Sequence, residues 1–257
     1  MGLEELGLGD NYIQHHTEPH SPEVKQKNPL GLLPVLIHRP DGLYTSQDNV
    51  VLLFESNAIR RYIDDLVAPI AIKKQRIPVH LTPALQPHDV GSAERRAKVD
   101  QWISMASTVL FQSVEFGVVK PRLAMEKNEA DDDTIHVAIE EGIEKAYGKL
   151  AIFESMLKEG QEYLCGTEVT WADLFVYPPL ADLRAVKEVS ARVSVARHYF
   201  DLFDTGAAGQ RTHRQYSKVS QAGSLAGQNG QAPERLGYFS WDTGFRAKGK
   251  VTCYVEY

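Results

Sequence analysis

Asn28-Pro29-Leu30-Gly31-Leu32-Leu33-Pro34-Val35-Leu36-Ile37 is the stretch that decides how the first part of this chain folds. An Asn-Pro pair with a glycine two residues on makes a turn, and the apolar run after Pro34 has the composition of a buried strand. Pro34 stands at the start of that strand, where its missing N–H removes no bond from a ladder. Asp41 to Asn49 reads as a polar loop and Val50-Val51-Leu52-Leu53-Phe54 as a second apolar strand, so the two runs suit an antiparallel pair. Glu55-Ser56-Asn57-Ala58-Ile59-Arg60-Arg61-Tyr62-Ile63 leaves that strand as a helix, with Ala58, Ile59, Tyr62 and Ile63 spaced along one buried face. Ser56 lies at the helix entrance, and two readings stay open there. It is an N-cap, or it joins the free backbone N–H groups and the positive dipole end in receiving a carboxylate or phosphate.

Working outward, Glu4 to Leu8 reads as the last turns of a helix stopped at Gly7 and Gly9. A short strand follows at Tyr12-Ile13-Gln14, and then a helix opening at Ser21-Pro22-Glu23. Pro69, Pro78, Pro83 and Pro87 interrupt any helix between Leu66 and Ser92, which makes that stretch a linker. Beyond it the pattern is helical. Val99, Trp102, Ile103 and Ala106 form an apolar stripe, with Glu94, Arg95, Arg96 and Lys98 facing outward. A second stripe runs through Ile135, Ile139, Ile143, Ala146, Leu150 and Phe153 from a start near Asp133-Thr134, where the acidic run Asp131-Asp132-Asp133 could bind a cation but reads first as a solvated helix entrance. Thr170-Trp171-Ala172-Asp173 is a capping box before a buried helix, with Val169 and Leu174 placed as a staple.

Composition excludes several classes. With 257 residues, 43% of them hydrophobic, the chain can bury at least one full core. Twenty-eight Lys and Arg against 34 Asp and Glu give a net charge of −6, the wrong sign for a general nucleic-acid binder. Two cysteines, Cys165 and Cys253, make no disulfide framework, the nine histidines show no zinc spacing, and no glycine-rich phosphate loop follows a strand. No metal site is expected. No uninterrupted run of about 18 apolar residues spans a bilayer and no secretory signal opens the chain, so a soluble, cytoplasmic protein with no membrane partner is the expectation. The last stretch differs from the rest. From Thr205 onward there are seven basic and three acidic residues, with eight of the 19 glycines. The residues to about 230 read as disordered, and Val251-Thr252-Cys253-Tyr254-Val255 is a β-prone run with no evident partner, or else the trace of a misread exon end.

The string Asn28 to Leu36, followed at the right separation by Leu53-Phe54-Glu55-Ser56-Asn57-Ala58-Ile59, resembles the thioredoxin-like domain of cytosolic glutathione transferases. The Thr170–Asp173 cap resembles the opening of their buried helix, and Ala97-Lys98-Val99-Asp100-Gln101-Trp102 with Val119-Lys120-Pro121 resembles the phi class. The resemblance covers residues 1 to 204 and implies an α+β domain followed by an all-α one. An incomplete thioredoxin-like βαββα domain occupies 1–66, a linker 67–92, an all-helical bundle 93–204, and a low-complexity tail 205–257. The family's final tryptophan-bearing helix is blurred into Ser194 to Phe200.

The resemblance also assigns a site. Pro34 would be cis, letting Leu33 pair with the cysteinyl part of glutathione, while Glu55 and Ser56 hold its γ-glutamyl end. The family often has Gln or Lys where Leu32 stands, and a basic residue where this chain has His20, which could meet the glycyl carboxylate when protonated. Met105, Phe111 and Phe116 would line an apolar pocket for the electrophile, although apolar residues on a helix equally form core. Glutathione is then a co-substrate, no other cofactor is implied, and a detoxifying homodimer is the family's usual form. Family members begin with a strand and a helix whose connecting turn carries the thiol-activating residue. That unit precedes Met1 by register, so no catalytic residue is named. Met1 is expected to be an internal methionine of a longer product, both chain ends reflecting a faulty gene model, and the strand at Tyr12 to lack its central neighbour. The rival is a non-catalytic assembly module, because Phe54 to Ile59 also resembles the transferase-like domain of the translation elongation factor gamma subunit.

Overall fold

The computed structural model describes residues 2–6, 8, 12–39, 50–67, 69, 90–157, 163–190 and 250–255. The loop at 41–49, most of the expected linker, Ser194 to Phe200 and the glycine-rich stretch from Thr205 to Gly249 lie outside the described residues. The chain divides into two compact units.

The first unit is built on a sheet. It holds α1 (Gly2–Glu5, from Leu3), β1 (Tyr12–His16), α2 (Pro22–Lys27), β2 (Val35–Arg39), β3 (Val51–Phe54), α3 (Ser56–Tyr62) and β4 (Lys250–Val255). Helix α1 ends before Leu8, sooner than the apolar pattern suggested. Ser21 caps α2 through its side chain, which accepts from the Val24 N–H at 3.3 Å, and Pro22 fills the first turn where no donor is needed. Strands β2 and β3 pair antiparallel, with Val35 opposite Phe54 and His38 opposite Val51, as their apolar runs implied. Val35 and Ile37 are buried against Leu33, Val50 and Phe54. Helix α3 continues as a π-helical stretch, Ile63–Val67. Its buried positions are Ile59 and Ile63, as expected, together with Arg60 and Asp64 in place of Ala58, which is exposed. A 3.1 Å ion pair between Arg60 and Asp64 accounts for that difference, since a buried charge is retained when it is paired.

The strand order is β1-β4-β2-β3, and it corrects the expectation that β1 has no central neighbour. Strand β4, the run that had no evident partner in the sequence, lies between β1 and β2. It is parallel to β1 with Tyr12 opposite Val251, and antiparallel to β2 with Val35 opposite Tyr254. Pairing on both sides satisfies backbone groups that would otherwise face each other across a gap.

The second unit is helical. One long helix begins as α4 (Val90–Met105), passes through π-helical stretches Ala106–Leu110 and Gln112–Val119, and ends as α5 (Lys120–Lys127). Then come α6 (Asp132–Ser155), α7 (Trp171–Ala185) and the short α8 (Lys187–Ser190). The stripe expected on α6 is buried at all six positions, and Trp102 meets Phe153 edge-to-face at 5.5 Å. Helix α6 starts one residue earlier than its pattern suggested. Asp131 is its N-cap, accepting from the Thr134 N–H at 2.8 Å, so the acidic run is a helix entrance. The capping box of α7 is present: the Asp173 carboxylate accepts from the Thr170 N–H at 2.7 Å and the Leu164 N–H at 2.9 Å. One window of the long helix, within Ala93–Lys127, reaches a mean hydropathy of 1.3 and is by length and composition alone apolar enough to cross a membrane; 39% of it is buried inside the protein.

Candidate functional site

Four residues singled out from the sequence lie side by side at one end of the sheet in the first unit. Because Val35 pairs with Phe54, the dipeptide Leu33-Pro34 entering β2 lies beside Glu55-Ser56 leaving β3. The Leu33–Pro34 peptide is cis. Glu55 adopts φ 72°, a left-handed conformation that costs a non-glycine residue roughly 1–3 kcal/mol and persists only where the surroundings impose it. It occupies the N-cap position of α3 without a side-chain cap bond. Ser56 is therefore the first helical residue rather than the cap, which corrects the N-cap reading of its hydroxyl. Both residues are exposed, with the first N–H groups of α3 beside them.

The turn from Asn28 to Leu33 leads into this pairing. His20, also at a positive φ of 62°, donates its backbone N–H to the Gly31 carbonyl at 2.7 Å. Gly31 sits at φ 72°, and a Cβ there would lie 2.5 Å from the His20 ring nitrogen Nδ1. Glycine avoids both the strain of a side chain at that φ and the clash with the ring. His20 is thereby held against the turn that carries Leu33 and Pro34.

Asn28 is the residue that the sequence reading passed over. It is 1% exposed, its Nδ2 donates to the Leu32 carbonyl at 2.8 Å, and its Oδ1 accepts from the Leu30 N–H at 3.0 Å. The second bond is an Asx turn, the known habit of asparagine ahead of a turn, so the Asn-Pro pair contained the signal.

The other three candidates belong to the helical unit. Met105 is half-buried, whereas Phe111 and Phe116 are exposed at 37% and 53%. Their rings meet edge-to-face at 5.9 Å, and the Lys120 ammonium stands 5.8 Å from one centroid and 4.7 Å from the other. The alternative that these two phenylalanines are core is excluded by their exposure. The half-buried Cys165 thiol is pushed up to about 11, by burial first and then by the nearby Asp173 carboxylate, which disfavours the thiolate. Among the described residues no group of three or more His, Cys, Asp or Glu side chains could hold a metal ion.

Two family models match this chain: the glutathione S-transferase N-terminal domain over residues 1–66 and the glutathione S-transferase C-terminal domain over residues 137–205. Together they span a little over half of it. Among solved structures, the fold is similar to glutathione transferase F7 from Populus trichocarpa, with 23% identity, 83% of this chain and 90% of that one covered, and a TM-score of 0.57. It is also similar to a glutathione transferase family member from Pseudomonas fluorescens with two glutathione molecules bound, at 22% identity, 82% and 84% coverage and a TM-score of 0.55. A third is a glutathione S-transferase from Rhodospirillum rubrum, at 17% identity, 81% and 84% coverage and a TM-score of 0.56. No curated protein matches the sequence significantly.

Proposed function

The chain belongs to the glutathione S-transferase family, and from that premise we propose that it binds glutathione at the sheet end formed by Leu33-Pro34 and Glu55-Ser56 and presents its thiolate to a small apolar electrophile. The observation that carries this reading is the pairing of Val35 with Phe54, which sets Leu33-Pro34 beside Glu55 at its left-handed φ. A strained non-glycine residue exposed at the mouth of a sheet belongs to the class of positions that cluster at ligand sites.

Each residue has a role that its position supports. Leu33 stands just ahead of the paired part of β2, where its N–H and C=O can meet the cysteinyl unit as a strand would. The Ser56 hydroxyl and the first free N–H groups of α3 receive the α-carboxylate of the γ-glutamyl end, where dipole and donors act in the same direction. The exposed Glu55 carboxylate offers an acceptor to the α-amino group, and His20, tied to Gly31, offers a ring donor to the glycyl carboxylate. A glutathione thiol has an ordinary pKa of about 8.5, so conjugation at neutral pH needs a group that favours the thiolate; none of the residues named here serves as one. Met105, Phe111 and Phe116 are the candidates for contact with the electrophile. The setting is a cytoplasmic homodimer, as in the family's usual form. No observation favours the translation-factor module.

Calorimetric titration with glutathione tests the reading. The full chain should bind, and Ser56→Ala should weaken binding about tenfold or more, the usual worth of a hydrogen bond to a charged group. Equal affinity of wild type and Ser56→Ala would refute the placement of the carboxylate. Turnover of an activated aryl halide with glutathione tests the second step, and replacing Phe116 by alanine should raise the KM for the halide more than that for glutathione.

A further inference from the structure

The central strand of the sheet that carries the site comes from the far end of the sequence. Strand β4 begins 60 residues after the last residue of α8, yet it separates β1 from β2 and is paired along its length with both. Val251 to Val255 lie opposite Tyr12 to His16 on one side, and Lys250 to Tyr254 lie opposite Arg39 to Val35 on the other. A central strand is the costliest to lose, because its removal strips backbone partners from two neighbours at once. Its direction matters as much as its place. Antiparallel to β2, it runs toward the start of that strand, so Tyr254 pairs with Val35, the residue that follows Leu33-Pro34.

We infer that Lys250–Val255 is a positioning element of the glutathione site: by pairing with Val35 it holds the entry to β2, and with it Leu33-Pro34, in register with Glu55-Ser56. The inference rests on the proposed glutathione site for its binding consequence, while the strand's place is open to a separate test. None of the residues that would contact glutathione lies in this strand, so the dependence runs through backbone pairing alone.

Two measurements on the full chain test it. Leu36 is opposite Cys253 in the antiparallel pair. Opposite residues in such pairs have Cα atoms about 4.5–5.5 Å apart, within the reach of a disulfide. Mild oxidation of the Leu36→Cys variant should join the introduced thiol to Cys253 in an intramolecular link detectable by peptide mass mapping. Ile37→Cys, opposite Thr252 and on the other face, should not link to Cys253. The second measurement is glutathione affinity. Thr252→Pro removes a ladder donor from a strand paired on both edges and should weaken binding about tenfold or more, while Thr252→Val, which keeps the donor, should leave it unchanged. Absence of the intramolecular link, or a link only between chains, overturns the inference. So does a Thr252→Pro variant that binds glutathione as wild type does. If the link forms but wild type itself does not bind glutathione, the proposed function fails, and the binding dependence claimed here falls with it while the strand order stands.

Discussion

Replacing Asn28 by alanine removes both arms of the clamp that shapes the Pro29–Leu33 turn. The two hydrogen bonds, 2.8 Å to the Leu32 carbonyl and 3.0 Å from the Leu30 N–H, are each worth about 0.5–1.5 kcal/mol net. Leu30 and Leu32 are 59% and 45% exposed, so water can reach the released backbone groups and the full penalty for an unsatisfied buried polar atom is avoided. Backbone bonds from the Asn28 N–H to the Val24 carbonyl and from the Gly31 N–H to the Asn28 carbonyl survive the substitution. The net cost should be about 2 kcal/mol. With a urea slope of about 2 kcal/mol/M, the denaturation midpoint should fall by about 1 M. Glutathione affinity should fall as well, because the loosened turn carries Leu33, Pro34 and the Gly31 carbonyl that anchors His20. An equilibrium urea titration with a parallel calorimetric titration reads both. A midpoint within about 0.2 M of wild type would refute the energetic reasoning, and a lowered midpoint with unchanged glutathione affinity would refute the claim that this turn shapes the site.

Asp173 is fully buried and accepts from the Leu164 and Thr170 N–H groups and the Thr170 hydroxyl, while burial holds its carboxyl above the ordinary range against those donors. Asp173→Ala should destabilise the helical unit by about 3 kcal/mol and Asp173→Asn by roughly half as much, both read as a lower melting temperature by circular dichroism. His38, 7% exposed and bonded through Nδ1 to the Tyr62 hydroxyl at 2.7 Å, is held by burial below the ordinary histidine value of about 6.5. The unfolded chain therefore takes up the proton first on acidification. The contribution of neutral His38 is fully present above about pH 6.5 and is lost as the pH falls from there toward the folded value, a slope that His38→Gln should flatten in urea midpoints taken from about pH 7.5 to 5.5. With its thiol at about 11, Cys165 should react with a disulfide reagent at about pH 7.5 far more slowly in the folded protein than in urea, measured in a Cys253→Ser background; equal rates would contradict its burial.

Local chemistry was legible wherever a residue type has one dominant use. The six-residue stripe of α6, the Thr170–Asp173 box and the Ser21-Pro22 helix start all follow from side chains acting on their own helix. The strands around the site were legible too, because Val35–Ile37 and Val51–Phe54 are apolar runs bounded by turn residues. The location of Ser56 could be read, but its place in the helix could not, since N-cap and first-turn positions differ by one residue and favour the same side chains. Arg60 and Asp64 fall outside the apolar face that the sequence marks on this helix, and they are buried as an ion pair, which an apolar pattern does not register. The partner of β4 was the least legible feature. A β-prone run of five residues specifies an extended conformation, yet which edge it joins is a non-local choice that no local pattern encodes.

That non-local choice also explains how the site can be assembled from individually unfavourable parts. Glu55 and His20 at positive φ are strained, and Gly31 stands where a side chain would be strained and would meet the His20 ring; such conformations persist only where the surrounding structure over-determines them. The restraints come from different directions. Asn28 ties the turn from beneath, the Val35–Phe54 pair fixes the spacing of the two loops, and the Val35–Tyr254 pair fixes β2 from its other edge. A loop held by one partner can relax into a neighbouring well when that partner is altered, whereas one held on two edges and by a buried side chain must lose several restraints together before it moves. Combining Asn28→Ala with Thr252→Pro should therefore weaken glutathione binding by more than the product of the two single effects, because each substitution removes the restraint that remains in the other. Strict multiplicativity in a double-mutant cycle would show instead that the turn and the strand act on glutathione independently.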